Sequence, residues 1–511
     1  MAPVQGRLIL PGHGGAVLLL IRGQKKKQKT YSNRTDEEPL MNQNTLKTTN
    51  ANPENSKNTE NMGKKAASNL DLTSGEPMRL LILFAIPMLI GSVFQLLYNM
   101  VDSIILGKFI SAQAFASVGA TSSTTAFVMM ICNALVGTFT IQVSQAYGAK
   151  EEGKVRHIVG QSAMLTAFFG ILVGAIMLLT AAPLMRLLDT PSDIFDGSVT
   201  YIQITCGLFL AQIAYKACAG VLRAIGDSRT PLMFLIVCSL MNIVLDLLFA
   251  VRMGHGVAGV AWATVLAQVI SAVLCFAYMW KKYPTLHFSA RDLIPDTDVL
   301  KPFAAIAAPM CFQNSMLTIG MMVITRVINS FGSDIVAAYT LGSRVEQLVT
   351  VIFSQVAFSF SVYSGQNYGA KLPDRITNGF RDAVKLLSVL VAIAMFIMLT
   401  FGRYLALLFI NADETAILEA GVKMIRIEGV FLPALCAIWL FNSALRGMGK
   451  IRPTIISSII ELGAKIGFSI ILSAIMGYVG IWLAAPIGWV LGIIPGAIYF
   501  LNGSWKDETL R

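Results

Sequence analysis

One hexapeptide occurs twice in this chain. Gln145-Ala-Tyr-Gly-Ala-Lys150 returns as Gln366-Asn-Tyr-Gly-Ala-Lys371, position 366 against 145, an offset of 221 in 511 residues. Other pairs keep close to that spacing: Pro87 with Pro309, Phe109 with Phe331, Leu222-Arg223 with Leu445-Arg446, Gly226 with Gly449, and Gly256 and Gly259 with Gly477 and Gly480. A chain that repeats itself once over most of its length is built as two like halves.

The solvent of those halves follows from composition. The chain is 55% hydrophobic and 14% charged, against roughly 25% charged residues in soluble domains. Apolar stretches near or above the roughly 20 residues that cross a bilayer fall at about 78–106, 115–145, 158–182, 198–222, 231–252 and 256–280. The second half repeats the series at about 303–328, 336–366, 381–409, 423–446, 454–476 and 478–501. These runs are continuously apolar and rich in Leu, Ile, Ala and Gly. A membrane β-barrel needs short alternating segments instead, so the expected fold is all-α, with twelve transmembrane helices in two six-helix bundles.

Lys and Arg in short loops stay on the cytoplasmic side. They alternate loop by loop here, eighteen on one side and six on the other, with the basic N-terminal region joining the eighteen. Both termini are therefore expected in the cytoplasm, the chain being a multi-pass protein of the cell (inner) membrane. Six spans per half is an even number, so both halves enter from the same side and the repeats are parallel. The net charge of +11 then reports topology, and nucleic acid is not an expected partner, because no soluble domain carries a basic patch interleaved with aromatics.

The expected division is a disordered cytoplasmic tail over 1–70, an N-lobe over 75–282, a cytoplasmic linker over 283–302, a C-lobe over 303–503 and a short tail over 504–511. The first segment is rich in Asn, Thr, Lys and Glu, a composition that does not collapse into a core. Its apolar patch at Ala16–Ile21 precedes Lys25-Lys26-Lys27, the reverse of a signal peptide's order. Met41 and Met62 are alternative starts. All seven cysteines fall in apolar spans without metal-ligand spacing and read as small core residues.

Chemistry inside a membrane is marked by polar groups that cost about 2.5–3.5 kcal/mol or more to insert. In the first span Gln95, Tyr98, Asn99 and Asp102 share one helical face. The first three are candidates for a substrate cavity. The fifth span carries Asn242 and Asp246, four apart, and the sixth adds Thr264. Two carboxylates with amide and hydroxyl oxygens suit Na⁺, a hard cation, or a proton shared between neighbouring carboxyls. Asp102, Asn242, Asp246 and Thr264 are thus the candidate cation-coupling set, and the metal ligands if the ion is Na⁺. No other cofactor is expected. Pro87 beside this stripe is a candidate hinge.

The second half lacks those carboxylates: Lys465 and Ser469 stand where Asn242 and Asp246 do at an offset of 223. Glu461 and Lys465 read as a self-neutralising i,i+4 pair. Lys216, Arg326 and Glu428 read as residues near span ends, and Gln313, Asn314, Gln355 and Asn442 as cavity-lining or helix-bridging amides. No Gly-rich loop precedes Lys-Ser/Thr, and no metal or nucleophile constellation is present, which argues against an ATP-driven pump or an enzyme.

The pattern Gln95-Leu-Leu-Tyr-Asn-Met-Val-Asp102, the two Gln-x-Tyr-Gly-Ala-Lys elements, and Leu222-Arg-Ala-Ile-Gly with its partner Leu445-Arg-Gly-Met-Gly resemble the multidrug and toxic compound extrusion (MATE) family over about residues 75–503. The resemblance implies a V-shaped pair of bundles, acting as a monomer, that exports drug-like small molecules, bulky, amphipathic and often cationic, by antiport with Na⁺ or H⁺. Asp102, Asn242, Asp246 and Thr264 match one by one the N-lobe cation site of its DinF-like branch. A lipid-linked oligosaccharide flippase of the same superfamily is the alternative, and would require a strongly cationic central cavity.

Overall fold

The computed structural model describes residues 70–510. The expected N-terminal tail and the alternative starts Met41 and Met62 lie outside the described residues. Eleven helices are long and apolar enough to span a membrane, and a pair bent by 46° supplies a twelfth. In the first half these are α1 (Pro77–Ile104, extended by a π turn Ile105–Ile110), α3 (Ser122–Gly148) after the short α2 (Ala112–Ala120), α4 (Glu152–Leu187), and the bent pair α5 (Ser192–Thr205) and α6 (Phe209–Ala224). Two more follow, α7 (Arg229–Asp246, extended by a π turn Leu247–Arg252) and α8 (Gly256–Lys282). In the second half they are α9 (Thr297–Asn329), α10 (Ser333–Gly369), α11 (Pro373–Ala406), α12 (Thr415–Gly447), α13 (Ile451–Met476) and α14 (Tyr478–Asn502). The chain is an all-helical, multi-pass membrane protein.

The repeat is visible in the backbone itself. Lys150 and Lys371, the last residues of the duplicated hexapeptide, have φ of 57° and 58°, and Gly226 and Gly449 have 91° and 73°. A left-handed turn is costly for a residue with a Cβ, so its recurrence at two lysines reflects a shared helix-ending geometry. Between Gly226 and Gly256 the first half has two more residues than the second has between Gly449 and Gly477. The π turn after Asp246 lies in that interval; a π turn widens a helix to absorb extra length.

The lobes are not separate bundles. The start of α1 belongs to the other lobe's core: Leu80, Leu81, Phe84, Ala85 and Met88 pack with Val356, Phe360, Tyr363 and Leu387. The start of α9 does the converse, with Phe303 stacked on Phe139 at 5.1 Å and Ala307 in the N-lobe core. Beyond Pro87, α1 turns to its own lobe, where Gly91 meets Leu232 and Leu235 of α7. Beyond Pro309, Gly320 of α9 meets Leu462 of α13. The paired prolines thus mark the crossing points, and α1 runs through Pro87 as one helix.

At the face that bears the basic loops the lobes are shut. The two hexapeptides pack against one another: a Cβ on Gly148 would run into the Gln366 backbone, and one on Gly369 into that of Gln145. Gln145 Nε2 donates to the Gly447 carbonyl at 2.9 Å, and Gln366 Nε2 to the Ala224 carbonyl at 2.7 Å. Each glutamine therefore caps the last turn of a helix in the opposite lobe, satisfying carbonyls that a helix end leaves open. The segment ahead of α1 adds to the seam, with Leu70 N donating to Gly226 O at 3.3 Å and Asn367 Nδ2 to Leu72 O at 3.0 Å.

Two connecting segments are more ordered than their composition suggests. Residues expected to form a plain linker carry two 3₁₀ turns, Pro284–Leu286 and Ala290–Leu293, and are bound to α4. His157 sits on that helix, and its Nδ1 and Nε2 lie 3.0 and 2.9 Å from Asp292 and Asp296. Gln161 Nε2 donates to Asp292 O at 2.7 Å and Ile294 O at 2.5 Å. The expected C-terminal tail forms α15 (Ser504–Leu510), whose Trp505 is fully buried and donates to Phe500 O.

Candidate functional site

α1 and α7 lie side by side in the N-lobe, with Asp102 three residues before one π turn and Asp246 immediately before the other. The two π turns also touch. Gly259 of α8 is held against them so closely that an added Cβ would stand 2.7 Å from the Ala250 backbone. Such irregular turns are frequent at functional sites because they re-aim side chains without breaking the helix. Here they close the bundle over Asp102 and Asp246.

The four candidate coupling residues meet. The Asn242 amide, oriented by its partners, donates through Nδ2 to Asp102 Oδ1 at 2.9 Å and to Asp246 Oδ2 at 3.3 Å, while its Oδ1 accepts from Thr264 N at 3.2 Å. Asn242 and Asp246 are fully buried and Thr264 nearly so; Asp102 is half-buried. The two carboxyls are also within hydrogen-bonding reach of each other. Asp246 Oδ1 accepts from no N–H or hydroxyl donor. An orphaned buried carboxylate oxygen is costly, and a cation or a proton is the kind of group that relieves such a cost. Among the described residues, no lysine or arginine is an electrostatic neighbour of Asp102 or Asp246.

Of the expected cavity residues, Tyr98 joins this cluster directly, its hydroxyl donating to Asp102. Gln95 lies two turns nearer the basic-loop face and is exposed. Asn99 lies on α1 with its side chain outside the described set. Tyr201 of α5 is a further neighbour of both carboxylates, a residue that sequence reasoning missed. It sits on a helix whose polar groups gave no stripe, so only packing reveals it.

The C-lobe differs from the expectation drawn for it. Glu428 lies mid-helix in α12 and is 2% exposed, not at a span end, because α12 begins at Thr415, further out than its charged residues suggested. Glu461 and Lys465 are not a closed pair. Lys465 has Glu346, Glu461, Glu428 and Tyr339 as its neighbours, and Glu428 Oε2 is buried without a partner. Glu346 was overlooked, although it stands ten residues inside the stretch read as spanning from 336. Tyr339 in turn stacks on the buried Trp482 at 5.7 Å. Lys216 also lies inside its helix, where its Nζ donates to Asn133 Oδ1 at 3.3 Å.

Comparison with known proteins agrees with this architecture. The "Probable multidrug resistance protein YpnP" of Bacillus subtilis is 28% identical over 452 residues, covering 86% of this chain and 98% of its own length. The "DNA damage-inducible protein F" of Escherichia coli is 23% identical, with 83% and 93% covered. A solved structure described as an outward-facing conformation of a multidrug resistance MATE family transporter superposes with a TM-score of 0.79 at 23% identity, covering 86% of this chain and 99% of that one. The MatE family profile matches twice, at residues 87–248 and 309–471, each match starting at one of the paired prolines. With both halves of the chain so matched, this protein belongs to the MatE family and is a membrane transporter, not an enzyme.

Proposed function

We propose that this protein is a secondary multidrug exporter that moves amphipathic organic compounds, many of them cationic, out of the cell in exchange for Na⁺ or H⁺. The coupling ion binds at Asp102, Asn242, Asp246 and Thr264. The observation that carries this reading is the Asn242 amide bridging two carboxylates from different helices, without a basic residue to neutralise them. The Asp102 and Asp246 carboxylate oxygens, held by the Asn242 amide N–H groups, are the candidate ligands. They suit Na⁺ and serve equally as a relay for a proton. The names of the relatives support the substrate class.

The protein is read as a monomer in the cell membrane with its basic loops and both termini in the cytoplasm. The glutamine-capped seam is then the closed cytoplasmic gate, and the state described is outward-facing. Entry of the cation between α1 and α7 changes their packing, with Pro87 as the hinge, and the N-lobe releases cargo outward. One elementary charge moving inward gains about 2.3 kcal/mol per 100 mV, enough to drive accumulation outside.

The test is transport in proteoliposomes with a Na⁺ gradient and a pH gradient imposed separately. Coupled transport of an organic cation such as ethidium under one gradient, lost in Asp102→Asn, supports the reading. Lipid scrambling with no gradient-driven ethidium transport would replace it with the flippase alternative.

A further inference from the structure

The N-lobe holds a second charged group, remote in kind from the carboxylates. Lys216 and Arg223 are seven residues apart on α6, so their side chains leave the same face two turns apart. That face lies on α3. Between them, a Cβ on Gly220 would stand 2.8 Å from Val136 Cγ1 and 2.9 Å from Thr140 Oγ1. Lys216 stands eight residues, about 12 Å of helix, from the end of α6. The Arg223 guanidinium reaches across to the C-lobe, 5.6 Å from the ring centroid of Phe358 on α10.

Neither cation is neutralised by the protein. Among the described residues, the ion pairs within 4.0 Å involve neither of them. The charged residue nearest in effect to Lys216 is Arg223, a like charge, and Arg223 Nε is buried without a hydrogen-bond partner. The repeat supplies a control. Arg446 matches Arg223 and shares its unpartnered Nε, but its Nη2 donates to Gln313 Oε1 at 3.1 Å and it has Glu461 in its neighbourhood. The C-lobe copy is thus compensated where the N-lobe copy is not. An ammonium inside the span with no carboxylate beside it, two turns from a guanidinium at the helix end, is expensive, and an anion from outside the protein relieves that cost.

We propose that Lys216, Arg223 and Asn133 bind the anionic head group, a phosphate, sulfonate or carboxylate, of an amphipathic molecule whose apolar body lies against Phe358. Arg223 offers a planar fork of N–H donors to two oxygens of such a group, and Lys216 a point charge. Asn133, its Oδ1 already taken by Lys216, has its NH₂ left to donate. This deepens the export reading by adding anionic amphiphiles to the cargo class. It rests on the space between the lobes being the cargo path, and uses neither Asp102 nor Asp246.

The test is equilibrium binding to the full chain in nanodiscs of phosphatidylcholine. Cholate serves as a soluble carboxylate amphiphile, phosphatidylglycerol as an anionic lipid, and ethidium as a cationic control. Lys216→Gln with Arg223→Gln should weaken cholate at least about tenfold, as expected when a charged hydrogen-bonding partner is removed, and leave ethidium unchanged. Arg223→Lys, which keeps the charge and loses the fork, should fall between and guards against a double variant that fails to fold. Displacement of cholate by phosphatidylglycerol identifies a lipid as the source of the head group, whereas cholate binding indifferent to that lipid identifies a soluble cargo; both support the site. Cholate and phosphatidylglycerol binding unchanged in folded variants, or absent in the wild type, overturns it. Cholate binding is read at equilibrium with no Na⁺ or pH gradient, whereas the coupling reading fails only in gradient-driven transport, so the two failures are distinguishable.

Discussion

On α7 of the N-lobe stand Asn242 and Asp246; at the equivalent places on α13 of the C-lobe stand Lys465 and Ser469. The N-lobe gathers two carboxylates around a neutral amide. The C-lobe gathers three carboxylates around an ammonium fixed to the chain. A charge in a membrane bundle needs compensation, and the lobes obtain it differently. Lys465 supplies a tethered cation that cannot leave, whereas Asp102 and Asp246 face no such tethered cation, which is the basis of the proposal that an exchangeable ion binds there. An exchangeable site has to be one that the protein does not neutralise for itself.

The largest test of that contrast is Asp246→Asn or Asp102→Asn. Either should reduce gradient-driven ethidium transport in proteoliposomes to the level of empty vesicles while the protein remains folded by size exclusion. Retained coupled transport would show that the unneutralised pair is not the coupling site.

Lys465→Met should do the reverse, acting on stability first. It leaves Glu346, Glu428 and Glu461 without their cation, at a cost of about 1–3 kcal/mol once discounted for the partial exposure of Lys465. Thermal unfolding in detergent reads that loss, and Glu461→Gln in the same chain should recover part of it. A variant as stable as the parent would mean that the ammonium is no structural counter-ion.

Gln145→Ala and Gln366→Ala each remove one cross-lobe hydrogen bond, worth about 1 kcal/mol. Each should shift the balance toward the inward-open state by about fivefold, read by labelling of a cysteine placed below the seam. Unequal effects would show that the repeat's symmetry does not extend to the gate.

The smallest effect belongs to the linker. The Ser289 N–H, with the His157 ring beside it, holds the Asp292 carboxyl below the usual carboxylate range, and the Asp298 N–H with His157 does the same for Asp296. A depressed folded value means that this contribution is complete above the unfolded value and is lost as pH falls through the folded one. Hydrogen exchange over 284–296 should therefore rise in acid; Asp292, with Asp296, holds the His157 imidazole above its usual value, so the share of the contact that needs the protonated ring is lost as pH rises through that value. In His157→Gln the exchange should rise several-fold at neutral pH.

The twelve spans were legible because lipid demands continuous apolar runs of helical length, and the polar residues that meet around Asn242 because Asn242 and Asp246 repeat at a helical interval in an apolar surround. Tyr98 was legible as a polar residue, but its bond to Asp102 was not. Glu428 was misplaced because helix ends were judged from charge, whereas α12 carries exposed Lys423 and Arg426 well within its length. Lys216 was taken for a snorkelling side chain on the same ground. The π turns leave no mark in hydropathy, since one extra residue in a helix changes no composition.

Sequence alone determined the solvent, the parallel repeat and the residue types able to hold a cation, because these depend on local composition and on comparison of the halves. Only tertiary structure decided which groups share a site. Helix packing brings Asp102 to Asp246 across two elements, sets Lys465 among three carboxylates, leaves Lys216 and Arg223 with none, and seals the duplicated hexapeptides against each other. Electrostatic compensation acts over a few ångströms between helices distant in sequence, and no spacing along the chain encodes that distance.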